Sequence, residues 1–239
     1  MKKFLLAIGA LFMCLGASAQ GYLLDNPNNH GYFGIRGSYN LSLPSKVKSI
    51  SPDQNYTTKT KIFGKGSGFN IGVIYNQPLV ANLYLEPGVT LAYTTESFKN
   101  TMDMFPAFFD KAMKHSSARK FSLEIPVQVG YHFDFTPDIS LAISTGPVLK
   151  IGLVDDYYLT TEDLPVIGTV HKSGSLYGEN GPLRRVDCAW RVGVGFNIAT
   201  NYYVGVSGDI GLVNMLKQDN DGAYSMHENA FNVSVGYNF

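Results

Sequence analysis

The sequence predicts an all-β protein, an eight-stranded antiparallel up-and-down transmembrane β-barrel with long extracellular loops and short periplasmic turns. Three observations carry this. A secretory leader opens the chain. No later stretch offers 18 or more apolar residues, so the sequence predicts no membrane helix. Eight segments instead alternate apolar residues with small or polar ones.

The leader has Lys2 and Lys3 as its positive start, an apolar run from Phe4 to Leu15, and Ala17-Ser18-Ala19 as a cleavage signal. About a dozen apolar residues are too few to span a bilayer as a helix. Cys14 lies inside the apolar run, behind the bulky Met13, which argues against a lipoprotein. The expected division is a signal peptide at 1–19 and one barrel domain at 20–239. Removing Lys2 and Lys3 takes 19 basic residues to 17 against 19 acidic ones, a net charge of −2. Cys188 is then the only cysteine, so no internal disulfide can form.

The clearest strand is Ala230 to Phe239, where Phe231, Val233, Val235, Tyr237 and Phe239 alternate with Ala230, Asn232, Ser234, Gly236 and Asn238. Val186–Ile198, Tyr202–Leu212 and Phe121–Phe135 repeat this pattern, and Tyr32–Ser42, Gly68–Asn76, Leu83–Thr94 and Ile139–Gly152 are weaker copies. Each approaches or exceeds the roughly 9–11 residues of a tilted transmembrane strand. Between them, Leu43–Ser67, Thr95–Lys120, Leu153–Arg185 and Val213–Asn229 read as long polar loops. Gln77–Asn82, Phe135–Asp138 and Ala199–Asn201 are short and carry turn formers such as Pro78, Asn82, Pro137, Asp138 and Asn201. Alternating long and short connections are the mark of an outer-membrane barrel, and an even strand count returns both termini to the periplasm.

The polar strand faces are rich in Gly and Ser rather than in the Lys and Glu of a solvated sheet. The apolar faces start or end on Tyr, Phe or Trp, like an interfacial girdle. The apolar faces are therefore expected to meet lipid and the polar faces to fill the lumen, which eight strands leave just wide enough for side chains. Parity then turns Arg36, Glu86, Glu124, Lys150, Arg191 and Asp209 inward, three basic and three acidic, as a structural charge network. A hairpin centred near Thr200 sets Arg191 opposite Asp209, and one centred near Pro137 brings Glu124 within reach of Lys150. Arg36 and Glu86 are expected to join these pairs into a neutral set.

Several short motifs, in this order, resemble the PorT-type outer-membrane β-barrel domain. They are Gly31-Tyr32-Phe33-Gly34-Ile35-Arg36-Gly37, Tyr84-Leu85-Glu86-Pro87-Gly88, Leu123-Glu124-Ile125-Pro126-Val127, Ile143-Ser144-Thr145-Gly146-Pro147 and the closing Val235-Gly236-Tyr237-Asn238-Phe239. The resemblance covers nearly the whole mature chain. It implies an eight-stranded barrel in the cell outer membrane and no single activity: some members assist protein secretion, and no set of catalytic residues carries over. The C-terminal Phe239 is similar to the insertion signal read by the barrel-assembly machinery.

Other chemistry finds little footing. His30, His115, His132, His171 and His227 form no metal pair at helical or finger spacing, and no cofactor or metal is expected. Gly64-Lys65-Gly66-Ser67-Gly68 lacks the spacing of a phosphate loop and reads as a flexible loop end. No basic block suggests nucleic acid. A lipid-modifying barrel enzyme would need a surface His and Ser, but His132 and Ser122 lie roughly 30 Å apart along one strand. A soluble lipocalin-like ligand binder would need the apolar faces inside. The expectation is thus a non-enzymatic barrel whose partners are outer-membrane lipid, the assembly machinery and an envelope protein met through the loops. Thr101–Lys114 could form a surface helix with Met102, Phe105, Phe108, Phe109, Ala112 and Met113 on one face, or stay a mobile loop.

Overall fold

The computed structural model describes residues 30–50, 57–60, 63–98, 117–164, 168–177, 181–199, 201–217 and 223–239. The expected leader at 1–19 and the segment Thr101–Lys114 lie outside them.

In chain order the strands are β1 (Tyr32–Pro44), β2 (Val47–Ile50), β3 (Thr57–Thr60), β4 (Phe63–Pro78), β5 (Leu83–Phe98), β6 (Ser117–Thr136), β7 (Ile139–Leu164), β8 (Gly168–Ser175), β9 (Val186–Ile198), β10 (Tyr202–Gly211), β11 (Ala223–Ser225) and β12 (Glu228–Asn238). Eight of them, β1, β4, β5, β6, β7, β9, β10 and β12, pair antiparallel with their chain neighbours. β12 returns to β1, with Gly34 opposite Asn238 and Pro44 opposite Glu228, so the sheet closes into a barrel. Closure removes the unpaired edges that a lipid-facing sheet could not tolerate.

The remaining strands lie within the long polar connections and give them structure of their own. β5, β6 and β7 run on past their expected ends, and β8 pairs with the extension of β7 to form a projecting hairpin. β11, β2 and β3 make a small separate sheet at the same end. The glycine-rich stretch at 64–68 lies within β4 and is no loop end.

The short turns at the opposite end are tightly tied. Ala81 and Asn82 (φ 49° and 66°) and Ala199 (φ 50°) take the left-handed conformation that such turns demand. The Asn82 side chain donates to the His132 carbonyl at 3.1 Å and to Asp134 Oδ2 at 2.9 Å. The amides of Asn238 and Phe239 donate to the Asn201 and Phe33 carbonyls, which anchors the C-terminus beside β1.

Burial is inverted relative to a soluble sheet. Along β9, Asp187, Ala189, Gly193, Gly195 and Asn197 are buried, whereas Trp190, Val192, Val194, Phe196 and Ile198 are exposed. β1, β6, β10 and β12 alternate in the same sense. A ligand cup of the soluble type would show the reverse, so the apolar faces here form the lipid-facing surface. Rings meet at both ends of this surface, Tyr202 with Tyr237 and Tyr237 with Phe239 near the short turns, and Tyr39 with Phe69 toward the long loops. The indole of outward-facing Trp190 donates to Thr145 Oγ1 at 2.8 Å on β7, so it brings no unsatisfied donor into lipid. Among the described residues no helix is long and apolar enough to cross a membrane.

A charge on the outer face has a predictable cost. Val194, flanked by Val206 and Ile143, is 39% exposed on this apolar face. Val194→Arg should destabilise the barrel by about 2–4 kcal/mol near the midplane, measured by reversible unfolding in lipid. Single cysteines in a Cys188→Ser background report the orientation: a lipid-soluble maleimide should label Val194→Cys, and the lumen-lining Ser207→Cys should escape it. The reverse pattern would turn the barrel outside in.

Candidate functional site

The inward face builds the site, and glycine is what makes room on it. Gly195 and Gly205 lie against the Tyr203 ring, and a Cβ at Gly195 would come within 2.5 Å of it. Tyr203 in turn supports Arg36, whose guanidinium carbon sits 4.2 Å from the ring centroid. The Arg36 Nη1 donates to Asn238 Oδ1 at 2.7 Å.

Near the short turns the lumen is polar but mostly uncharged. His132 is buried, stacks on Tyr84 with centroids 4.3 Å apart, and lies 3.5 Å from the Asn197 amide through Nδ1. Asn197 donates to Ser140 Oγ at 3.3 Å and accepts from Asn238 at 3.4 Å. Higher up, Asn232 accepts from Asn40 at 2.9 Å and from Asn70 at 3.3 Å, and donates to Ser207 at 3.4 Å. Cross-strand amides of this kind tie β1, β4, β10 and β12 together from inside.

Four charges meet in the middle. Register places Arg191 on β9 opposite Asp209 on β10, and Glu124 on β6 opposite Lys150 on β7. The Arg191 fork donates from Nε to Asp209 Oδ1 at 2.6 Å and from Nη2 to Oδ2 at 2.8 Å. Nη2 also donates to Glu124 Oε2 at 3.1 Å. Lys150 Nζ lies 3.1 Å from Asp209 Oδ2 and 3.8 Å from Glu124 Oε1. Each acid thus touches both bases, and four adjacent strands are bridged. A bidentate arginine with a second cation is the arrangement that compensates burial best, because it fills the carboxylate lone pairs with charged donors. Asp209 has no solvent-exposed side-chain surface (0%).

Arg36 and Glu86 do not join this set. Both line a polar cavity of about 80 Å³ on its short-turn side, together with Arg191, Tyr203, Gln128 and Asn70. Among the described residues, no basic nitrogen comes within 4.0 Å of Glu86. The Gln128 amide and the Asn70 carbonyl oxygen also face the cavity without a protein partner. A polar space of this size has room for several waters, which would complete those groups.

A second cluster, absent from the expected set, lies toward the long loops. Lys120 on β6 pairs with Glu228 on β12. Glu96 and Asp155 line the same small cavity, and Ser42 Oγ donates to Glu96 Oε1 at 2.5 Å. Asp187 is buried on the lumen face of β9. The inward charges are therefore not balanced. Among the described residues Arg36, Lys120, Lys150 and Arg191 stand against Glu86, Glu96, Glu124, Asp155, Asp187, Asp209 and Glu228. Above them Val47, Leu176, Tyr177, Leu183, Met215 and Met226 pack with Ala118 into an apolar cap. The cap is held by a bridge between Leu183 and Leu216 and by bonds between Ser45 and His227. From mid-barrel to this mouth, ion pairs, a small polar cavity and packed apolar side chains follow one another among the described residues. No group of three or more His, Cys, Asp or Glu side chains among the described residues could hold a metal ion.

Three solved structures illustrate what the chain is similar to. One is Ail, the attachment invasion locus protein of Yersinia pestis, in complex with the heparin analogue sucrose octasulfate (16% identity, 88% of this chain and 99% of that one, TM-score 0.39). A second is the outer membrane protein OprG from Pseudomonas aeruginosa (10%, 87% and 96%, TM-score 0.41). A third is the outer membrane protein AlkL in lipid bilayers (10%, 92% and 96%, TM-score 0.44). No curated protein matches the chain. The model of one family, the outer membrane protein beta-barrel domain, matches residues 5–239, and the chain belongs to that family.

Proposed function

We propose that this is a non-conducting accessory barrel of the outer membrane, which serves envelope integrity or protein secretion through the structured elements at its long-loop end. The single observation that supports the reading is the ion-paired and capped lumen. Arg191, Asp209, Glu124 and Lys150 bridge β6, β7, β9 and β10 at mid-height, and the apolar cap lies beyond them. On this reading the six lumen charges named from the sequence are structural. A barrel that passes nothing must act through its surfaces, and the β7–β8 hairpin and the β2–β3–β11 sheet are the surfaces it builds outside the lipid belt.

The resemblance to PorT-type domains supports the finer assignment, with a secretion-linked envelope protein as partner and the barrel-assembly machinery acting during insertion. A catalytic role is not part of the proposal. His132, the histidine on a barrel strand face, is enclosed by Tyr84, Asn197 and Ser140 rather than set beside a serine at the lipid interface. Affinity capture of the tagged chain from native outer membranes tests the reading. Stoichiometric recovery of an envelope protein, lost when 168–175 is replaced by a short Gly-Ser link, supports it. Turnover of outer-membrane lipid by the purified chain would replace it with the enzymatic alternative.

A further inference from the structure

Just above the lipid belt, on the wall formed by β4, β5 and β6, basic and hydroxyl side chains gather within two successive rows. The belt there ends in a row of rings. Register sets Tyr39 beside Phe69, Phe69 beside Tyr93, and Tyr93 beside Phe121. These residues share the outward parity of the strands, and amphipathic rings in such positions mark the lipid interface. One pair-step further toward the long loops the outward row reads Ser67, Thr95, Arg119. The next step holds Ser97 opposite Ser117, with Ser97 Oγ donating to the Lys65 carbonyl at 3.5 Å. Lys65 and Arg119 are both exposed.

From strand spacing and rise, Lys65 and Arg119 stand two strands and one pair-step apart, about 12 Å between Cα atoms. Two long basic side chains can meet over that gap, and Thr95 and Ser97 lie on the strand between them. The Arg119 guanidinium rests on the Tyr158 ring of β7, 5.0 Å from its centroid and on the side away from Lys65, and a headgroup phosphate would draw it back over Thr95. Asp156, its register partner on β7, is the charged group facing it from that side and tempers the field without cancelling Lys65.

We infer that Lys65, Arg119, Thr95 and Ser97 form a binding site for the phosphate of a lipid headgroup in the leaflet at the long-loop end. The chemistry fits in three ways. A guanidinium fork and an ammonium give charged donors to a phosphate, and hydroxyls between them add neutral ones. The site sits two to four residues beyond the aromatic row, where headgroups lie and acyl chains do not. A free anion would gain nothing from the apolar wall below, whereas a lipid places its chains on Phe69, Tyr93 and Phe121 while its phosphate meets the bases.

The test uses the full chain in phosphatidylcholine bilayers with spin-labelled phosphatidic acid or spin-labelled phosphatidylcholine. The fraction of label immobilised at the protein gives their relative association. The wild type should favour phosphatidic acid roughly tenfold, since each basic residue near an anionic lipid is worth about a factor of five before screening. K65Q/R119Q should fall to about twofold or less, and K46Q/K48Q, which removes the same charge from exposed positions elsewhere at this end, should keep the preference. If the double variant fails to fold, the single variants K65Q and R119Q should each lose part of it. Undiminished preference in the folded Lys65 and Arg119 variants would overturn the site. So would equal loss in K46Q/K48Q, or abolition by inorganic phosphate, which would mark a free-anion site.

Discussion

Arg191→Met is expected to destabilise the barrel by about 3–5 kcal/mol, the cost of leaving a buried carboxylate without its partner. Asp209, with 0% of its side chain exposed, would keep only Lys150, and Glu124 would have to share that same lysine. One ammonium would then face two carboxylates in a place with little access to water. Asp209→Leu should hurt less than Arg191→Met, because Arg191 retains Glu124 at 3.1 Å. The double variant should be less damaged than Arg191→Met alone, since it removes one charge of each sign and leaves Glu124 with Lys150. Unfolding of all four proteins in lipid gives the coupling directly. Two to three kcal/mol of coupling is the order expected for a contacting pair, roughly, and a value below about 0.5 kcal/mol would mean that the residues act independently.

Lys120→Met should be as severe, for a different reason. Lys120 is the only described cation in a cluster that contains Glu228, Glu96 and Asp155 beneath an apolar cap. Removing it leaves three carboxylates facing one another at the mouth, where Val47, Met215 and Met226 exclude water. A cost of about 3–5 kcal/mol is expected, again from uncompensated buried charge. The damage should also spread to the cap, because repulsion among the acids opposes its closure. Proteolysis between Leu176 and Leu183 should therefore quicken in the variant. Glu228→Gln should be milder, since it lowers the acid excess and leaves Lys120 with Glu96 and Asp155. If Glu228→Gln is the more damaging of the two, the cluster is not organised around its lysine.

The barrel strands were legible because lipid on one side and a packed lumen on the other impose a strict two-residue period. Val186–Ile198 and the starts of β1, β5, β7 and β10 emerge with their observed bounds. Hairpin symmetry about Thr200 and Pro137 was enough to set Arg191 against Asp209 and Glu124 against Lys150. The site was less legible above the belt. Lys120, Glu96 and Glu228 fall in stretches whose polar composition reads as loop, although β5, β6 and β12 carry them inward. Asp155 was hidden by a bulge: register shifts between Phe121 and Ser122, so that Leu153 and Val154 both face out and parity reverses beyond them. Asp187 shares the parity of Arg191 and could have been counted with the lumen charges from the alternation alone. The cap had no signal, because Val47, Leu176, Leu183, Met215 and Met226 are scattered along the chain without a period. Arg36 and Glu86 share a cavity with Arg191 without pairing with the central charges, because parity fixes a face and says nothing of height along the barrel axis.

Planar-bilayer recording tests the blocked lumen most directly. Purified full-length protein, inserted at neutral pH and moderate salt, should leave the current at baseline, because the Arg191–Asp209–Glu124–Lys150 cluster and the cap occupy the path from mid-barrel to the long-loop mouth. The folded barrel should be verified in the same bilayers, so that silence is not mistaken for failed insertion. Sustained, resolved current steps from the verified wild-type barrel would show an open path through it and contradict the account.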